Sequence, residues 1–162
     1  MKRDGFQFSA ICYNSFAMKL LLKKNYLTMI HNLAKGEIHI FRNLFMNIDG
    51  QDKDILEDGQ LACGKVVSSI LYLNKLISDL HATVESTEKD MLINGWYEIN
   101  DPREGSVIAW ERQNSHRHIG FSLGNNTAVS NGSNEVGFPA KHHITYNNTR
   151  KIEKIYWHPH LD

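Results

Sequence analysis

"HIGFSLGNNTAVSN", residues 118–131, is the stretch that sets the architecture. Side chains on either flank of Gly-Asn-Asn alternate in character, and a period of two is a strand signal. Glycine and asparagine tolerate the positive φ that a tight reversal needs. The stretch therefore predicts a β-hairpin with strands over 118–123 and 127–131. A three-residue turn at Gly124–Asn126 pairs residue 123 with 127, and so Gly120 with Ser130. His118, Gly120 and Ser122 then face one way, and Ile119, Phe121 and Leu123 the other. Ser130 shares the face of His118 in that register. A slip of one residue, or a bulge, would bring Asn131 there instead.

Three further runs have the same texture: "SVIAWE" (106–111), "HITY" (143–146) and "KIEKIYW" (151–157), with turn signals between them. The first half of the chain reads differently. "FAMKLLLKKNYLTMIHNLA" (16–34) has helical spacing and is stopped by Gly36. "EIHIF" (37–41) is expected as a short strand, and "NIDGQDKDILEDG" (47–59) as polar loop. In "LACGKVVSSILYLNKLISDL" (61–80), Cys63, Val66, Val67, Ile70, Asn74 and Ile77 share one helical face. So apolar a helix is central to the core. "STEKDMLINGW" (86–96) predicts a helix capped by Ser86 or Thr87 and ended at Gly95. Helices followed by antiparallel strands make an α+β domain, with helices on a small sheet of about five strands. Residues 1–57 are read as an N-terminal helical extension and loop, and 58–162 as the core of the same domain.

Lysine and arginine number 18, as do aspartate and glutamate, so the net charge is zero. That balance gives no reason to expect a nucleic-acid partner. The two cysteines, Cys12 and Cys63, are too few for a disulfide framework and are read as free thiols. No window reaches the ~18 apolar residues of a membrane span, and the N-terminus lacks a signal-peptide pattern. A soluble chain is expected, with the cytoplasm slightly favoured.

Cys63 falls in the first turn of its helix, where unpaired N–H groups lower a thiol pKa. The alternative is a small inert core residue. A nucleophile needs a base, and His118 has the best position of the nine histidines. A third group should hold the imidazole. Register favours Ser130, whereas Asn131 is the better acceptor chemically, and both stand as candidates. A metal site built on His116 and His118, with His142 and His143 nearby, is the rival reading. It lacks a third ligand of known position, so neither metal nor cofactor is expected. Trp96, Tyr97 and Trp110 are groove or core residues, and Gly132–Pro139 is a gate or a plain connector. His142 or His143 could approach from the next strand, and neither is assigned a role.

A cysteine at a helix start, then "EGSVIAWE", then "HIGFSLGNNTAVSN" resembles the NlpC-like branch of the papain-like cysteine hydrolases, and more distantly the CHAP amidase domains. In that branch a glycine-aspartate-apolar segment leads into the sheet, and the base opens an "H-apolar-G" strand. A polar third residue follows about twelve positions on. Here Ser106 stands where the family often has aspartate, and "ACGK" replaces its "D-C-S-G". The family's tyrosine near the nucleophile has no clear match, and Gln60 is a weak candidate for an oxyanion donor. The resemblance covers about Asp58 to Asn131. It implies cleavage of amide bonds through a thioacyl intermediate, with peptide or peptidoglycan-fragment substrates. A catalytically inactive binding module, or a thiol acyltransferase or thioesterase, is the alternative within the same fold.

Overall fold

The computed structural model describes residues 18–113, 115–132 and 136–162. Three helices, α1 (Leu22–Leu33), α2 (Cys63–Leu73) and α3 (Val84–Ile93), pack on an antiparallel sheet. Its six strands are β3 (Tyr97–Glu98), β4 (Val107–Gln113), β5 (His116–Gly124), β6 (Thr127–Asn131), β7 (Pro139–His143) and β8 (Ile152–Trp157), in the order β3-β8-β4-β5-β6-β7. A separate two-stranded hairpin, β1 (Phe45–Ile48) and β2 (Gln51–Asp54), precedes α2. The α+β class is as expected, with one more sheet strand than anticipated.

The sheet has two covered faces. Val107, Ala109, Ile119, Phe121, Val129 and Tyr156 meet the helices, where Tyr26, Val66, Ile70 and Met91 are buried. Thus α1, from the segment before residue 58, shares the main core. Ile108, Trp110, Ala128 and Ile144 form a smaller cluster on the opposite face. Trp110 is fully buried there and donates its indole N–H to the Ile144 carbonyl at 2.7 Å. Trp96 and Trp110 are therefore core residues rather than groove residues, while Tyr97 is exposed.

The central hairpin forms in the expected register, with Gly120 opposite Ser130 and Phe121 opposite Val129. A shift between Ser122 and Gly124 moves the turn end of the ladder, so Gly124, not Leu123, pairs with Thr127. Gly120 is needed for this closeness. A Cβ placed on it would lie 2.5 Å from the Val129 carbonyl oxygen and 2.7 Å from the Ser130 Cβ. Gly120→Ala should therefore force β5 and β6 apart and destabilise the protein by about 1–3 kcal/mol, read as a lower urea midpoint at unchanged slope.

Five local expectations are corrected. Residues 37–41 form no strand. The segment read as loop holds the β1–β2 hairpin, reversed at Asp49 (φ 53°) and Gly50 (φ 81°), as a two-residue turn with both central φ positive requires. Helix α2 stops at Leu73 rather than residue 80. Lys75 adopts φ 57°, and the Leu76 and Lys75 N–H groups bond the Leu71 and Tyr72 carbonyls, closing the end as a Schellman motif. Helix α3 begins three residues early, capped by Thr83, whose hydroxyl accepts from the Ser86 N–H at 3.2 Å. The strand expected at 143–146 is β7 at Pro139–His143, and Ile144–Tyr146 turn away from the ladder. The expected stops at Gly36 and Gly95 do lie just past α1 and α3.

Candidate functional site

Pairing of β5 with β6 starts at Gly120–Ser130, so the His116–Ile119 end of β5 runs past the last β6 residue in the ladder. The first turn of α2 fills this place. The Cys63 thiol sits against the β5 backbone, with Sγ 4.0 Å from the Arg117 carbonyl oxygen. The Ile119 and Gly64 N–H groups also face the sulfur. Gly64 lets the helix seat closely, since a Cβ there would lie 2.7 Å from the Thr83 carbonyl carbon. Cys63 and His118 are each 9% exposed and line one cleft of about 720 Å³ with Gln60, Asn131, Tyr146 and Arg150. Cys63 is a free thiol, whereas Cys12 lies outside the described residues.

His118 Nε2 lies 2.8 Å from Ser130 Oγ. The same oxygen is 2.8 Å from His142 Nε2 and 2.7 Å from the Tyr146 hydroxyl. His142 Nδ1 lies 2.8 Å from the His143 carbonyl oxygen, which can only accept. So His142 Nδ1 carries the proton, and its neutral ring offers Nε2 as an acceptor. The single Ser130 proton goes to His142, and Tyr146 and His118 donate into the two Ser130 lone pairs. That arrangement satisfies every polar atom around Ser130 with both rings neutral. It leaves His118 in the Nε2–H tautomer, with a basic lone pair on Nδ1. His142 stacks on Tyr146 at a ring separation of 4.0 Å, so the pair that holds Ser130 is itself held.

Neutrality of both rings has a physical cause. Burial, then the charge of Arg150 and the proximity of His142, pushes His118 down to about 3. Burial likewise lowers His142. Tyr146 is raised to about 12, mainly by burial, so it remains a phenol and a donor. Cys63 corrects the simple helix-terminus expectation. The Ile119 and Gly64 N–H groups and Arg150 do favour the thiolate, but loss of solvent outweighs them and the thiol pKa is raised. The resting pair is thus thiol and neutral imidazole. Among the described residues, no hydrogen bond links the sulfur to the His118 ring, and the thiol is directed at Arg117 instead.

The buried neutral imidazole has a consequence for stability. The unfolded chain binds a proton at His118 near pH 6.5, and the folded chain only near 3. Between those values the unfolded state holds more protons, so stability falls as pH falls. His118 alone should contribute up to about 1.4 kcal/mol per pH unit in that window. The expected result is a urea midpoint that drops steeply from pH 7 to pH 5, with a shallower slope in His118→Gln.

Asn131 is adjacent to the network but serves elsewhere. Its side-chain N–H donates to the Gly59 carbonyl at 2.6 Å, and its Oδ1 is buried with no partner among the described residues. It ties β6 to the turn that leads into α2. Gly59 and Gly137, both at positive φ, meet in the same place, and Arg42 joins Asp58 to the Val136 carbonyl. The described ends of the Gly132–Pro139 loop are therefore packed against the 58–60 turn. Gln60 lies on that turn beside the cleft.

Two members of the hydrogen-bond network around Ser130 were not assigned from sequence. Tyr146 carries no motif, and His142 was only one of an adjacent pair. Strand alternation would have favoured His142 had β7 been placed at 139–143, opposite Ala128. The rival metal site is not assembled. His118 and His142 both bond Ser130, and His143 Nδ1 accepts from Thr145. Among the described residues, no group of three or more ligating side chains is gathered for a metal, and no helix is long and apolar enough to cross a membrane. No protein-family model matches the chain, and no curated protein matches it significantly.

Proposed function

We propose that the protein is a cysteine hydrolase of the papain-like, NlpC type, cleaving amide bonds as a peptidase or amidase. One observation carries this reading: Cys63 opens a central helix in the same cleft as a histidine whose Nε2 is fixed by Ser130. His118 Nδ1 takes the thiol proton as the sulfur attacks a carbonyl carbon. The oxyanion is met by the Cys63 backbone N–H, with Gln60 the candidate second donor. His118 then returns the proton to the leaving amine, and water attacks the thioacyl group by the same base. Ser130 accepts from Nε2–H throughout and stabilises the imidazolium that forms. Peptidoglycan-type peptides are the substrate class implied by the NlpC resemblance. The test is hydrolysis of a panel of peptide amides and esters, with intact-mass detection of an acyl adduct on Cys63. Turnover with no adduct, undiminished in Cys63→Ala, would remove the mechanism.

A second reading is an inert module of the same fold. The raised thiol pKa and the thiol's bond to Arg117 favour it. It predicts that Cys63 is alkylated near neutral pH no faster than Cys12.

A further inference from the structure

Three arginines line the cleft, and they differ in their partners. Arg112 pairs with Glu85, and Arg117 with Glu88 and Glu153. Arg150 has no carboxylate within ion-pair distance among the described residues. Its guanidinium is instead strapped to main chain. Nε and Nη2 donate to the Glu111 carbonyl at 3.0 and 2.9 Å, and Nη2 also to the His116 carbonyl at 3.1 Å. Glu111 turns its own carboxylate away, to the Lys151 N–H at 2.9 Å. Two strands thus hold a half-buried cation in a fixed pose, with Glu111 and Glu153 near enough to favour its charge but no described carboxylate in direct contact with it.

That charge belongs to the site. Arg150 shifts the titration of Cys63, His118, His142 and Tyr146 alike. A half-buried, immobilised guanidinium with no carboxylate in contact gains from an anion that a ligand supplies. Guanidinium geometry suits a carboxylate.

We propose that Arg150 is a substrate-binding residue that receives a carboxylate borne close to the scissile carbonyl, so that the preferred substrates are acidic amides. The proposal rests on the hydrolase reading for the word substrate, but its test does not require turnover. Iodoacetate and iodoacetamide deliver the same one-carbon electrophile to sulfur, one with a carboxylate and one with a neutral amide. In each, the S–C bond forms as C–I breaks, iodide leaves, and the thiol proton passes to the base or solvent.

The measured quantity is the ratio of iodoacetate to iodoacetamide rates at Cys63, followed by peptide mass mapping with glutathione as the free-thiol reference. Any change in thiolate population cancels in the ratio. The expected ratio exceeds that of glutathione by about tenfold, equivalent to about 1.4 kcal/mol. It should fall by that factor in Arg150→Gln and be partly retained in Arg150→Lys. Added salt should lower the wild-type ratio, which keeps the test available if Arg150→Gln does not fold. A wild-type ratio at or below that of glutathione, a ratio equal in wild type and Arg150→Gln, or a Cys63 closed to both reagents would each overturn the proposal. Loss of the hydrolase reading has a different signature, an undiminished turnover in Cys63→Ala.

Discussion

Cys63→Ala should abolish amide hydrolysis, lowering turnover at least about 10⁴-fold while the fold persists. No other described thiol can replace it, and its carbonyl-attacking atom is the one removed. The cost to stability is small by comparison. The sulfur is a minor part of the buried cluster around Val66, Val67 and Ile119, so the cavity left should cost about 1–2 kcal/mol. Circular dichroism and the urea midpoint measure that cost, and initial rates measure turnover. Cys63→Ser separates nucleophilicity from shape. It keeps the volume and a hydroxyl, and it should be as inactive as the alanine variant, because an alkoxide is far harder to form beside His118. An active Cys63→Ser enzyme would mean that the thiol is not the attacking group.

His118→Ala has the second largest expected effect, about 10³-fold at pH 7. Its pH profile is more telling than its size. Burial raises the Cys63 pKa, so at neutral pH the wild-type thiol must lose its proton during the reaction, to Nδ1. Without the ring, only the small thiolate fraction reacts. Activity of His118→Ala should therefore climb with pH toward and past the thiol pKa, while the wild type levels off earlier. The defect should also be larger for amides than for esters, since a leaving amine needs the proton that His118 returns and a leaving alcohol needs it less. Equal losses on both substrates, at every pH, would show that the ring matters only for packing. The alanine variant also deprives Ser130 of one donor, leaving His142 and Tyr146 as its partners.

Much of the candidate site is readable from the chain because it is local. The period-two pattern around Gly-Asn-Asn specifies a hairpin, and counting back from the turn places Ser130 beside His118. The bulge near Ser122 alters the turn end without disturbing that pair. The apolar stripe beginning at Cys63 is a helix because its spacing has no other use. Where local signals compete, the reading errs. Lys75 ends α2 in a left-handed conformation that glycine usually supplies, so nothing in composition marks the stop. The Asp49-Gly50 hairpin carried a usable signal, but both flanks are exposed and the second, Gln51–Asp54, is wholly polar and reads as loop. Strand β7 begins with proline and continues with lysine and histidine, a poor strand composition. It is a strand because backbone pairing with β6 at the sheet edge asks little of the side chains.

By itself the sequence determined which residues share a helix face, which share a strand face, and therefore that Cys63 heads a central helix and His118 stands beside Ser130. These are consequences of repeat distances within one element or one hairpin. Only the tertiary structure decided that Tyr146 and Arg150 line the cleft of Cys63, that His142 joins Tyr146 at Ser130, and that the thiol and the imidazole are both neutral. Those facts depend on how far water is excluded by residues distant along the chain, and no periodicity records that.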